Sequence, residues 1–151
     1  MTDHVDTATR SKIMASVAGK NTGPEIALRR DLHARGYRFR LHRKDLPGKP
    51  DLVLPKYRLA IFVHGCYWHR HPGCVYASTP KSHVEFWQEK FARNVERDKR
   101  QQAELIEKGW RVLVIWQCGL RFCRDAIGDI EEPIEGLSDY TEWPETPPRK
   151  R

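Results

Sequence analysis

The sequence predicts a single-domain α/β fold. Three observations carry this: three apolar, β-branched runs (DLVL, RLAIFVH and WRVLVIW), a long helix-like stretch between the last two, and 151 residues in all, about the size of one ordinary domain. A long helix between two apolar strands is the pattern of a crossover unit.

The elements follow in order. Residues 1–20 are polar, with Ile13, Met14 and Val17 spaced for one or two helical turns. In NTGPEIALRRDLHARG, Thr22 suits an N-cap, Pro24 and Glu25 suit the first turn, and Gly36 suits the C-terminus. Ile26, Leu28 and Leu32 form its apolar side. YRFRLH at 37–42 alternates as a half-buried strand does, and the turn-forming LPGKP follows. DLVL and RLAIFVH, separated by Pro55, Lys56 and Tyr57, read as an antiparallel hairpin. From Val84 to Lys108 the composition is helical without Pro or Gly, and Gly109 stops it before the strand at 110–116. A shorter helix is expected at roughly 120–130. The Pro- and Glu-rich residues 131–151 are expected to stay disordered, leaving 21–130 as the folded domain.

Charge narrows the function. The net charge is +7, yet residues 131–151 carry −3, so the first 130 residues carry +10. That excess favours a polyanion through counterion release, although a solubilising surface has the same composition. The N-terminus lacks the apolar centre of a signal peptide and no apolar run is long enough for a membrane span, so a cytosolic protein is expected. Four cysteines in a reducing compartment then point to metal rather than disulfides.

The densest chemistry is HGCYWHRHPGC at 64–74. Asp51, directly after Pro50, begins one strand of the hairpin and His64 ends the other, so the register could bring a carboxylate and a base together. Metal-assisted phosphodiester hydrolysis needs such a pair, whereas a lone Asp beside a turn also serves as a cap. Pro50-Asp51 on a hairpin after a helix carrying Glu25 resembles the PD-(D/E)xK nuclease fold. The second strand departs from it, holding Phe62, Val63 and His64 where an acidic residue and a lysine are usual.

The stretches KIMASVAGKNTGPE, LPGKPDLV, IFVHGCYWHRHPGC, EFWQEKFARNVERD and GWRVLVIWQC occur in this order over about residues 5–122. Together they resemble the very-short-patch-repair (Vsr) endonuclease family, a variant of that nuclease fold with histidine in place of the missing pair. The resemblance implies a restriction-endonuclease-like mixed sheet flanked by helices with a structural zinc site. It also implies strand-specific, Mg2+-dependent nicking beside the T of a T:G mismatch. The other readings kept open are a restriction-type enzyme cutting both strands and a non-catalytic, zinc-stabilised DNA-binding module.

Within that frame Cys66, His71, Cys74 and Cys118 form a soft-ligand set for tetrahedral zinc, while Cys118 also reads as a small core residue. Asp51 and the backbone carbonyl of Val63 are the expected magnesium ligands. His69 is the candidate base and His64 holds the metal's waters or the phosphate, a division that the residues leave open. Asp98 is a candidate orienting partner or part of a solvated charged stripe. Glu25 either organises metal waters or complements a helix dipole. Tyr67, Trp68 and Trp87, with Met14 from the segment 1–20, match aromatic and apolar residues that wedge into mismatched DNA, although aromatics usually serve the core. The implied partners are mismatched double-stranded DNA, a cytosine methyltransferase and the repair machinery of a bacterial cytosol, with the enzyme acting as a monomer.

Overall fold

The computed structural model describes residues 23–145. The chain divides into two compact units, residues 1–36 and residues 37–151. In the first, helix α1 spans Gly23–Ala34, burying Leu28 and Leu32 and ending where Gly36 adopts φ +92°. Met14 and the expected DNA-contacting segment 1–20 lie outside the described residues.

The second unit is a five-stranded mixed sheet in the order β1-β2-β3-β4-β5. Its strands are β1 (Arg40–Leu41), β2 (Leu52–Leu54), β3 (Leu59–His64), β4 (Arg111–Trp116) and β5 (Tyr140–Trp143). The hairpin β2-β3 is antiparallel, as its turn residues predict, and the turn Pro55–Tyr57 is one 3-10 coil ending on Arg58 at φ +48°. The crossover between parallel strands β3 and β4 is helix α2 (Val84–Glu107). The side chain of Arg58 closes that crossover: its Nε donates to the Gly109 carbonyl at 3.1 Å, so a turn residue caps the end of α2. Every residue of β2 is buried, as are Leu59–Phe62 and Val112–Trp116, which is why the apolar runs were readable as strands.

Beyond β4 lie helix α3 (Gln117–Phe122), a 3-10 stretch (Arg124–Ile130) and helix α4 (Glu131–Glu135). Residues 131–145 therefore do not conform to the expected disordered tail, and β5 pairs in parallel with the far edge of β4. Two residues outside the tail account for its docking. Arg111 donates to the carbonyls of Ser138, Ile134 and Pro133, satisfying backbone that an acidic segment could not satisfy itself. Gly119 lets α3 touch the tail: a Cβ there would sit 2.6 Å from both Trp143 and Pro144. Ile134 and Trp143 supply the buried apolar surface. Gly119→Ala is accordingly expected to lower stability by about 1–3 kcal/mol through overpacking, read from the urea midpoint. An unchanged midpoint would show that α3 and β5 adjust freely.

Candidate functional site

The site is built at the carboxyl ends of β3 and β4 and on the segment 65–83 that leads from β3 to α2. Strand register sets it up: His64 pairs with Trp116, the last residue of β4, and the two strands then deliver Cys66 and Cys118 just beyond their ends.

On the hairpin side, the Asp51 carboxylate accepts a hydrogen bond from the Val63 backbone N–H at 2.7 Å. This ties the Asp51 side chain to the end of β3. His42 lies beside it, their ligand atoms within 4.8 Å and the His42 N–H bonded to the Asp51 carbonyl at 3.0 Å. His42 holds φ +47°, a backbone conformation rare outside glycine, which is consistent with a position constrained by its surroundings. Sequence reading missed His42, because the end of a short alternating strand carries no signal for a ligand. Glu25 occupies the first turn of α1, buried, with Arg29 Nη2 at 2.7 Å from its carboxylate.

One residue on from Val63, the structure brings His64, His69 and Asp98 together. His69 Nδ1 lies 2.6 Å from Asp98 Oδ2; because an ionised carboxylate only accepts, Nδ1 carries the hydrogen and Nε2 is left as a base. The His64 ring stacks on that of His69 at 3.9 Å and 7°. Burial, and then the neighbouring His69, pull the His64 imidazole from 6.5 down to about 3, with Asp98 opposing, so His64 is neutral near pH 7. Asp98 is thus more than a member of a solvated stripe. Asn94, one turn earlier on α2, donates to the Trp68 carbonyl at 3.4 Å.

The four candidate zinc ligands also converge. Cys66, His71, Cys74 and Cys118 are all buried, with ligand atoms within 4.8 Å of one another. His71 Nδ1 lies 3.3 Å from the Cys118 sulfur and 3.8 Å from that of Cys66. Hydrogen bonds from Cys118 and His71 draw the Cys66 thiol down to about 4, while burial pushes Cys74 up and the hydrogen bond to Cys66, followed by burial, pushes Cys118 up. Three buried thiolates this close repel one another unless a cation lies among them. The donor set therefore fits a soft divalent metal such as zinc, with four protein ligands and no open position.

Between these clusters, Arg70 shapes the loop. At φ +56° it donates to the carbonyls of Tyr67, Ala77 and Ser78, and its guanidinium lies 4.1 Å over the Phe91 ring. Its charge is spent inside the protein, which no pattern in HRHP reveals. The expected wedge residues form one aromatic group on this base: Tyr67 is edge-on to Trp68 (5.0 Å) and to buried Phe91 (5.2 Å), and Trp68 lies 6.1 Å from Trp87. Trp68 is 43% exposed and Phe86, against Trp87, is 55% exposed. Lys90 Nζ sits within 5.7 Å of the Trp68 and Trp87 rings, placing a cation beside the outward-facing aromatics.

Comparison with known proteins settles the family. The model of the DNA mismatch endonuclease Vsr family matches residues 2–74. A type II nicking enzyme of Xanthomonas oryzae pv. oryzae, V.XorIIP, is 48% identical over 92% of this chain and 98% of its own length. The chain belongs to the Vsr DNA mismatch endonuclease family. The DNA mismatch endonuclease Vsr of Escherichia coli is 47% identical over 80% of this chain and 77% of its own. The catalytic domain of the homing endonuclease I-Bth0305I shares the fold, with a TM-score of 0.51 and 26% identity, covering 74% of this chain and 93% of that one. The Vsr relationship and the nuclease-fold neighbour make this protein a DNA endonuclease. No helix among the described residues is long and apolar enough to cross a membrane.

Proposed function

We propose that this Vsr-family protein nicks one strand of duplex DNA beside the T of a T:G mismatch. The observation that carries the chemistry is the His69–Asp98 contact of 2.6 Å, with His64 stacked on the same ring and Asp51 bonded across β3 to Val63. Asp51 and the Val63 carbonyl would hold Mg2+, which when bound neutralises developing charge on the scissile phosphate. Asp98 holds the His69 tautomer, and Nε2 accepts the proton of the attacking water. Neutral His64 packs against His69 and offers a hydrogen bond to the phosphate.

Tyr67, Trp68 and Trp87 supply the wedge. A mispaired step costs less to unstack than a matched one, so insertion of flat rings selects the mismatch. T:G is what deamination of 5-methylcytosine leaves, so a cytosine methyltransferase and repair synthesis are the expected functional partners in a bacterial cytosol. A single asymmetric nick requires only a monomer.

The test uses matched and T:G duplexes labelled on either strand. Mg2+-dependent cutting of the T strand alone is expected. Double-strand cutting of matched DNA would mean a restriction-type enzyme, and binding without cutting under any divalent ion would mean a DNA-binding module.

A further inference from the structure

We propose that Trp116, anchored by Glu142 of β5, is a positioning residue that holds the His64–His69 pair in register with the Cys/His cluster. The inference rests on the histidine-centred cleavage reading above and goes beyond it by giving the carboxy-terminal strand a part in the reaction.

The observation is a single file of rings. His71, one of the four clustered metal-type ligands, stacks on Trp116 at 4.2 Å and 7°. Trp116 meets His64 nearly at right angles, 5.3 Å and 72°. His64 stacks on His69, and His69 bonds to Asp98 on α2. The indole is thus the only ring in this file that touches both clusters, and it is 4% exposed. Parallel and edge-on contacts are both favourable for aromatic quadrupoles, but each fixes the relative plane of its pair, so the angle of Trp116 sets that of His64.

An indole in such a place needs its own constraint, and Glu142 supplies it. Trp116 Nε1–H donates to Glu142 Oε1 at 3.0 Å. Rotation of the indole would break this bond and leave a buried donor unpaired. Glu142 comes from the strand that the sequence did not reveal, and it lines, with His64, His69, Asp98, Trp116 and Tyr140, one cavity of about 410 Å³. Trp116 does belong to the apolar cluster that includes Phe62, Leu105 and Val114, but a tryptophan serving that core alone needs only apolar neighbours and any acceptor, whereas this ring also meets an imidazole from each of two different clusters.

The experiment compares Glu142→Ala, Trp116→Phe and Glu142→Gln in the full chain. Steady-state nicking of a T:G duplex with Mg2+ gives kcat and KM, elemental analysis gives zinc content, and long-range ¹H–¹⁵N spectra report the imidazoles. Glu142→Ala and Trp116→Phe are expected to lower kcat about 10- to 100-fold, with KM and zinc content unchanged. Glu142→Gln, which keeps an acceptor, should recover most of the loss. In Glu142→Ala the His64 and His69 signals should shift while that of His33 stays. An unchanged kcat with unmoved His64 and His69 signals in both Glu142→Ala and Trp116→Phe would overturn the proposal, as would an effect confined to KM. If the unaltered protein cuts no T:G duplex but Glu142→Ala still moves the His64 and His69 signals, the cleavage reading fails and the positioning role stands.

Discussion

His69→Ala is expected to lower the T-strand nicking rate by about 100- to 10,000-fold while leaving duplex affinity near its starting value. The ring faces two partners that other residues cannot replace: Asp98 Oδ2 at 2.6 Å on one nitrogen and the His64 face at 3.9 Å. Removing it takes away the proposed base and also leaves the half-buried Asp98 carboxylate without its imidazole partner. Asp98→Asn is the informative companion. An amide keeps the shape but can donate, so it permits the wrong tautomer with hydrogen on Nε2, and a smaller loss in the same parameter is expected. Single-turnover cleavage under excess enzyme, with binding measured in Ca2+, separates the two quantities. Should His69→Ala cut at the original rate, the base lies elsewhere and His42 beside Asp51 becomes the residue to change.

The distribution of what the sequence disclosed has physical causes. β2, β3 and β4 were legible because strands buried on both faces must be nearly continuous in apolar residues, and α2 because its 24 residues contain no breaker. β5 was illegible for the opposite reason. YTEW is only four residues long within an acidic, Pro-containing stretch, and its place is secured by Arg111, Gly119 and the edge of β4, all distant in sequence. The Cys/His set was readable locally as C-x4-H-x2-C, while the parallel register of β3 with β4 brings in Cys118. Asp98 was ambiguous as one charge among many on a helix, and only the arrival of His69 distinguishes it from its neighbours. Residues that act by holding others, such as Arg70 and Trp116, have no sequence signature, because their partners are backbone carbonyls and ring faces.

Removing the metal from the Cys/His cluster is expected to lower the thermal midpoint by roughly 10 °C or more and to abolish nicking, with the sheet retained. The segment 65–83 contains no helix or strand, so its fold depends on Arg70, a few turn hydrogen bonds and the four ligands. Those ligands tie together the ends of β3 and β4 and two points in the loop. Without a cation the thiols at Cys66, Cys74 and Cys118 cannot ionise together, and the cluster loses the charge balance that holds it closed. The consequence reaches function because Tyr67, Trp68 and His69 all lie between Cys66 and His71, so loosening this short span displaces the proposed wedge and the proposed base at once. The strands do not depend on the metal in this way, since their cores at Ile61, Leu113 and Ile115 are fully buried. Hydrogen exchange after chelation should therefore rise across 65–80 and stay low in β3 and β4, and added Zn2+, but not Mg2+, should reverse it. Unchanged exchange and midpoint after complete chelation would place the loop's stability in Arg70 and reduce the cluster to ordinary buried thiols.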